Sequence, residues 1–222
     1  ILFKEAGYVP TKSFSPISQV TNQPFIVAVP SSLMVDTLQQ FINLIKANPG
    51  KYNYATPGFG SSPHLASERL FKLTHGLDVV HVPFQGAPPA VAATIAGDTQ
   101  IIHITLPLIA EYVRGGKLKA LAVTSRQRFA QLPDVPTAIE QGVDLEATVW
   151  FGVVGPARMP QPVVAKIHAE TAAYVKTPEF MKRAIADGAE AVGSDPESFR
   201  QMMLADMKKL AELVKRSGAK FN

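Results

Sequence analysis

Apolar positions along this chain fall into two alternating spacings, and each spacing predicts a different element. Phe25-Ile26-Val27-Ala28-Val29 is a near-continuous apolar run closed by Pro30, the pattern of a strand covered on both faces. Leu38, Phe41, Ile42 and Ile45 then recur at helical spacing until Asn48-Pro49-Gly50 stops them. The alternation continues with strands over 52–55, 79–82, 101–104 and 118–123, separated by helices over 63–74, 88–96 and 108–114. Short strands alternating with helices predict parallel β-α-β units with right-handed crossovers, hence an open α/β sheet. Solutes of such sheets bind at the carboxyl ends of the strands, where the turns 56–62, 83–87 and 104–107 fall.

The flanks read differently. The first 24 residues pass through Tyr8-Val9-Pro10 and Phe14-Ser15-Pro16 with neither a helical nor a strand period, and Ile1-Leu2-Phe3 reads as the middle of a protein. Arg126 to Pro136 has the composition of a linker, and Thr137 to Gln141 that of a short helix. Thr148-Val149-Trp150-Phe151-Gly152-Val153-Val154 is a further apolar strand, halted by Gly155-Pro156; Trp150 and Phe151 either flank a cleft or, as is usual for strand aromatics, serve packing. Three helices are predicted beyond it, over 162–176, 178–187 and 196–216, the last capped by Asp195. Phe199, Met203, Met207, Leu210 and Val214 form one stripe on that helix, which predicts core packing rather than a cofactor surface.

Candidate chemistry gathers in Tyr54-Ala55-Thr56-Pro57-Gly58-Phe59-Gly60-Ser61-Ser62-Pro63-His64-Leu65. Gly58 and Gly60 open backbone paths closed to other residues, while Ser62-Pro63 predicts an N-cap followed by proline at the first helical position. Such a loop is expected to present free amides at a positive dipole end, with Ser61, Ser62 and His64 as added donors, an arrangement that favours a carboxylate. The alternative is an ordinary capped helix after a tight turn. Thr56 before the loop, Phe84, Gln85 and Gly86 in the second turn and Thr105 in the third complete the candidate set. Thr105 either donates to a carboxylate or caps the helix that follows. A hydrolase or acyltransferase using Ser61 and His64 is disfavoured, because residues so close on one helix start rarely face each other and no Gly-x-Ser-x-Gly elbow is present. His81 and His103 lie in apolar strands without a second histidine or carboxylate at metal spacing, so they read as structural and no metal site is predicted.

Composition narrows the class. With 222 residues, 46% hydrophobic and 18% charged, the chain suits one large or two small globular domains. Its net charge of +4 is spread without a run of like charges, which argues against nucleic acid and suits a small acidic ligand. No window approaches the roughly 20 apolar residues of a membrane span, and the first residues lack a signal peptide's basic-apolar-small order. Without cysteine there is no disulfide, thiolate catalysis or cysteine-ligated zinc, and no cofactor is implied.

The loop stretch above, together with Val80-His81-Val82-Pro83-Phe84-Gln85-Gly86, Ala120-Leu121-Ala122-Val123-Thr124-Ser125, Leu132-Pro133-Asp134-Val135-Pro136-Thr137 and Trp150-Phe151-Gly152 through Gly155-Pro156-Ala157, resembles the tripartite tricarboxylate transporter substrate-binding proteins, the Bug or TctC-like family. The match runs in order along the whole chain, and five motifs at compatible spacing make it specific. The resemblance implies a periplasmic binding protein type II-like fold, with two α/β domains joined by crossing strands and closing on a small carboxylated solute. It also implies a periplasmic location, membrane transporter subunits as partners, and no catalysis. On this scheme residues 25–148 form the second domain with the Gly-rich ligand loop. Residues 1–24 and 149–222 form the remainder of the first, incomplete at its N-terminus because the family's opening half-domain, with its Pro-Gly-Gly-type loop, has no counterpart before Ile1.

An incomplete first domain leads to the expectation that a homodimer or an exchanged dimer covers the exposed faces. Within the matched part, the family often carries Lys where Gln85 stands, a small polar residue where Ala87 stands and Asp where Ile104 stands. Loss of that acid favours a plain carboxylic acid over an amino acid as ligand. A ligand sensor presenting the same bound carboxylate to a signalling partner is the remaining alternative function.

Overall fold

A computed structural model of the chain describes residues 7–217; Ile1-Leu2-Phe3 lies outside them. The described residues begin their regular structure with one helical turn, α1 (Pro10–Ser13), which runs directly into a long strand, β1 (Phe14–Pro24). A strict alternation follows: β2 (Ile26–Pro30), α2 (Leu38–Ala47), β3 (Asn53–Thr56), α3 (Ser62–Glu68), β4 (Val80–Pro83), α4 (Ala87–Ala96), β5 (Ile101–Ile104), α5 (Leu106–Arg114) and β6 (Leu118–Val123). Then come β7 (Thr148–Pro156), α6 (Gln161–Val175), α7 (Pro178–Ala186), β8 (Glu190–Ala191) and α8 (Pro196–Ser217). Two compact units result, one built on residues 24–148 and the other on 7–23 and 149–213.

The first of these units is a five-stranded sheet in the order β4-β3-β5-β2-β6, with helices on both faces. β2 lies between β5 and β6 and is buried throughout. Val27 and Val29 enter one core with Leu38, Phe41, Ile42 and Ile45 of α2, whereas Ile26 and Ala28 enter the other with Val91 of α4 and Ile109 of α5. With both faces covered the strand has no polar side, which is why its sequence is an unbroken apolar run. Direction is where the all-parallel expectation is corrected. β3 pairs parallel with β4 and β5, but β2 pairs antiparallel with both β5 and β6. A central strand is equally apolar whichever way it runs, and no tight hairpin marks the reversal.

β3, β4, β5 and β6 therefore point the same way. Thr56 is level with Pro83, and Ile26 faces both Ile104 and Val123, so the turns leaving these four strands open on one edge of the sheet. α3, α4 and α5 start at that edge, and each carries proline in its first turn, where a missing amide breaks no intrahelical bond. α3 continues as π-helical turns over Arg69–Thr74, which bury Leu70 and Phe71 and complete the helix predicted over 63–74.

In the second unit a three-stranded sheet has the order β7-β1-β8. Residues 14–24, expected to be irregular, form its central strand. Pro16, Gln19, Thr21 and Asn22 interrupt any apolar alternation, and only Ile17 and Ser18 are buried; pairing of Thr21 with Ala191 and Asn22 with Glu190 supplies the regularity instead. Asp195 caps α8 by accepting the Ser198 amide at 2.9 Å, and Phe199 and Met203 of the apolar stripe are buried. Trp150 packs edge-on against Phe199 while its Nε1 donates to Asp206 at 2.9 Å. β7 is an edge strand with Phe151 and Val154 exposed.

Candidate functional site

The turn after β3 is shaped by Gly58 and Gly60, whose φ angles of 149° and 71° disfavour side chains. α3 begins one residue earlier than expected. Ser61 is the extended N-cap, its Oγ receiving the His64 amide at 3.4 Å and donating to the Gly58 carbonyl at 2.8 Å, so Ser62 is already helical. The expected row of free amides is corrected as well. Gly58 N–H donates to Thr56 Oγ1 at 3.3 Å, Gly60 to His64 Nδ1 at 3.0 Å and Ser61 to the Gly58 carbonyl at 3.3 Å. The amides of Phe59 and Ser62 take no partner among the described residues. The turn closes on itself because a threonine and a histidine lie beneath it, a circumstance that its own sequence does not reveal.

Beneath the turn lies a layer of stacked rings, with Tyr54 and His64 buried and His81 partly so. His64 and His81 stack face to face with centroids 3.9 Å apart, Tyr54 stacks on His81 at 4.8 Å, and Phe59 meets both histidines edge-on. His81 Nε2 is 2.7 Å from Thr56 Oγ1, so this histidine also supports the turn. The Tyr54 hydroxyl donates to Glu68 Oε1 at 2.5 Å, and His64 Nε2 lies 4.0 Å from the same oxygen. Burial pushes His64 down to about 4 and, with the neighbouring His64 as a lesser cause, His81 down to about 3; both are neutral near pH 7. Burial and then Glu68 raise the Tyr54 phenol above its ordinary value. His103, fully buried, hydrogen-bonds Ser67 Oγ through Nδ1 at 2.8 Å and leaves Nε2 without a partner; burial lowers it to about 3.

The second turn is latched to the first. Phe84 N–H donates to the Thr56 carbonyl at 2.9 Å and Gly86 N–H to the Pro57 carbonyl at 3.0 Å. Gln85 is exposed between them, and Gly86 is the N-cap of α4. In the third turn Thr105 is the N-cap of α5, yet its hydroxyl makes no capping bond and remains available. The structure thus joins Thr56, Gly58, Gly60, Ser61, His64, Phe84 and Gly86 into one bonded assembly, with Ser62 and Gln85 beside it, and sets Thr105 on the same edge. Thr56 and His64 are buried, with their polar atoms used inside the assembly, so they shape the turn rather than face a solute. The sequence reading missed the turn after β6, where Thr124 is buried and Arg126 pairs with Glu146 at 2.9 Å. Its sequence signal is Thr124-Ser125 directly after an apolar strand, much as Thr105 follows β5.

The arrangement lacks hydrolytic geometry. Ser61 Oγ donates to a carbonyl and His64 Nδ1 accepts a backbone amide, so the pair is not a nucleophile with its base. Among the described residues no three His, Asp or Glu side chains gather around a metal position, and no helix is long and apolar enough to cross a membrane.

Convergent strand-to-helix turns on one edge of an open α/β sheet define a fold class that holds small solutes at strand carboxyl ends. Residues 1–219 match the Tripartite tricarboxylate transporter family receptor, and the chain belongs to that family. It is 28% identical over 214 residues to the UPF0065 protein in the tcbD-tcbE intergenic region of Pseudomonas sp. strain P51, covering 96% of this chain but only 63% of that relative. Among solved structures it resembles R. palustris Rpa4515 with adipate (TM-score 0.92, 26% identity, 98% of this chain and 73% of that one). It also resembles MatC (Rpa3494) from Rhodopseudomonas palustris with bound malate (TM-score 0.85, 26% identity, 96% of this chain and 74% of that one). The fold is therefore that of these receptors.

Proposed function

We propose that this chain is the solute-capturing part of a periplasmic receptor that binds a small di- or tricarboxylate and presents it to the membrane subunits of a tripartite tricarboxylate-type transporter. The observation that carries this reading is the shared edge: three strand-to-helix turns with their helix N-termini converge there, and the Phe59 and Ser62 amides and the Thr105 hydroxyl have no partner among the described residues. Ser61, Gln85 and Gly86 stand beside them. These donors are uncharged, so an anion would be held by dipoles rather than by an ion pair. The adipate and malate held by structurally similar receptors supply the ligand class.

A thermal-shift screen of mono-, di- and tricarboxylates tests the reading. A ligand at a hundred times its Kd stabilises by about 2.7 kcal/mol through mass action, enough to raise the unfolding midpoint measurably. Stabilisation by dicarboxylates with no chemical change in them is expected. A flat response across the series, or turnover of any member, overturns the assignment.

A further inference from the structure

We propose that Glu68 is a positioning residue for solute capture: acting through His64, it fixes the path of the Gly58–Ser62 turn without meeting the solute itself. The inference rests on the reading of that turn as a carboxylate site. Glu68 is a buried carboxylate whose neighbours include the Tyr54 hydroxyl and the Nε2 edge of His64. Such a group is costly to bury without purpose. At 4.0 Å its contact with His64 is electrostatic rather than a hydrogen bond, but it is directional. Because the Gly60 amide donates to Nδ1, the neutral ring carries its proton on Nε2, the side that faces Glu68. Glu68 favours that tautomer over the alternative, in which an Nδ1 proton would point at the Gly60 N–H, donor against donor.

Glu68 on its own helix, Tyr54 on β3, His81 on β4 and Phe59 of the turn face His64, and Ser67, one turn further along α3, leads to His103 on β5. His81 holds the ring flat and, through Thr56, takes up the second glycine amide. Gly60 is thus bonded directly by one stacked histidine and Gly58 indirectly by the other. The turn's shape follows from the protonation pattern of the stack, and Glu68 is a carboxylate in direct contact with it.

The test uses the whole chain labelled with 15N-histidine, and malate and adipate as probes. Nitrogen spectra at neutral pH are expected to show His64 protonated on Nε2. In Glu68→Leu the tautomers mix, Gly60 amide exchange accelerates, and affinity for the bound probe falls by about tenfold, the loss of roughly one hydrogen bond. Glu68→Gln, whose amide oxygen still faces the Nε2 proton, recovers most of that loss. A wild-type His64 protonated on Nδ1 refutes the proposal even if Glu68→Leu does not fold, and so does a folded Glu68→Leu with unchanged His64 signals and Gly60 exchange. If the wild type binds neither probe, the receptor reading and the solute half of this inference fall together. His64 tautomer and Gly60 exchange then still decide whether Glu68 sets the turn.

Discussion

Acid should unfold the unit built on residues 24–148 through its buried histidines. In an unfolded chain a histidine titrates near 6.5, whereas burial holds His64 at about 4 and His103 at about 3 in the fold. Between these values the unfolded state binds more protons, so the stabilisation is complete above about pH 6.5 and is lost progressively as pH falls towards the folded values. At about pH 4.5 each of the two has withdrawn roughly 2 to 3 kcal/mol, or about 5 together, set against a total of about 5–15 for a domain. His81, at about 3, acts in the same direction. Glu197, held down to about 2 by bonds from Arg200 and Gln201, titrates below this window. Urea unfolding followed by far-UV circular dichroism between neutral pH and about 4.5 reads the slope. His103→Leu removes one titrating group together with its unpartnered nitrogen and should flatten the slope by a third to a half, an order-of-magnitude share. A stability independent of pH over this range, or a variant with the wild-type slope, refutes the reasoning.

Thr124→Val should destabilise the same unit by about 1–3 kcal/mol, because the buried hydroxyl accepts the Phe25 amide at 2.8 Å and donates to the Ala147 carbonyl at 2.6 Å; an unchanged urea midpoint would count against that role. Ser61→Asp keeps a competent N-cap for α3 but sets a negative charge beside the two free amides, so calorimetry with malate should show binding abolished in a folded protein. Buried Ile104 offers no carboxylate to an ammonium group, so succinate should bind better than aspartate by a few kcal/mol at most, and the reverse order would sink the argument. The exposed Phe151 and Val154 on edge strand β7 should favour self-association of this chain, an expectation that light scattering would refute by returning a monomer at all concentrations.

What could be read from the sequence follows the range over which each signal acts. α2 announces itself locally: Thr37 accepts the Gln40 amide at 3.1 Å, and Leu38, Phe41, Ile42 and Ile45 are all buried. The same holds for α8 with its Asp195 cap and for β5, found at its predicted bounds. β1 and β8 escape because their order comes from each other, through pairs about 170 residues apart in sequence such as Thr21 with Ala191. The antiparallel course of β2 escapes for a related reason: burial on both faces erases the one pattern that could have oriented it.

The candidate turn shows where residue types stop short of chemistry. Glycine, serine and proline at 58–63 mark a turn into a helix, and the structure has one. Whether its amides are free depends on what lies underneath, and that is decided by Thr56, His64 and His81, which arrive from the end of β3, the first turn of α3 and β4. Three amides of the turn are spent on holding its shape, and two remain. A turn satisfied in this way is rigid before any solute arrives, so little ordering entropy opposes binding. Its selectivity should then come from the fixed direction of the remaining Phe59 and Ser62 amides, and substitutions in the layer beneath should alter affinity as much as substitutions at the surface.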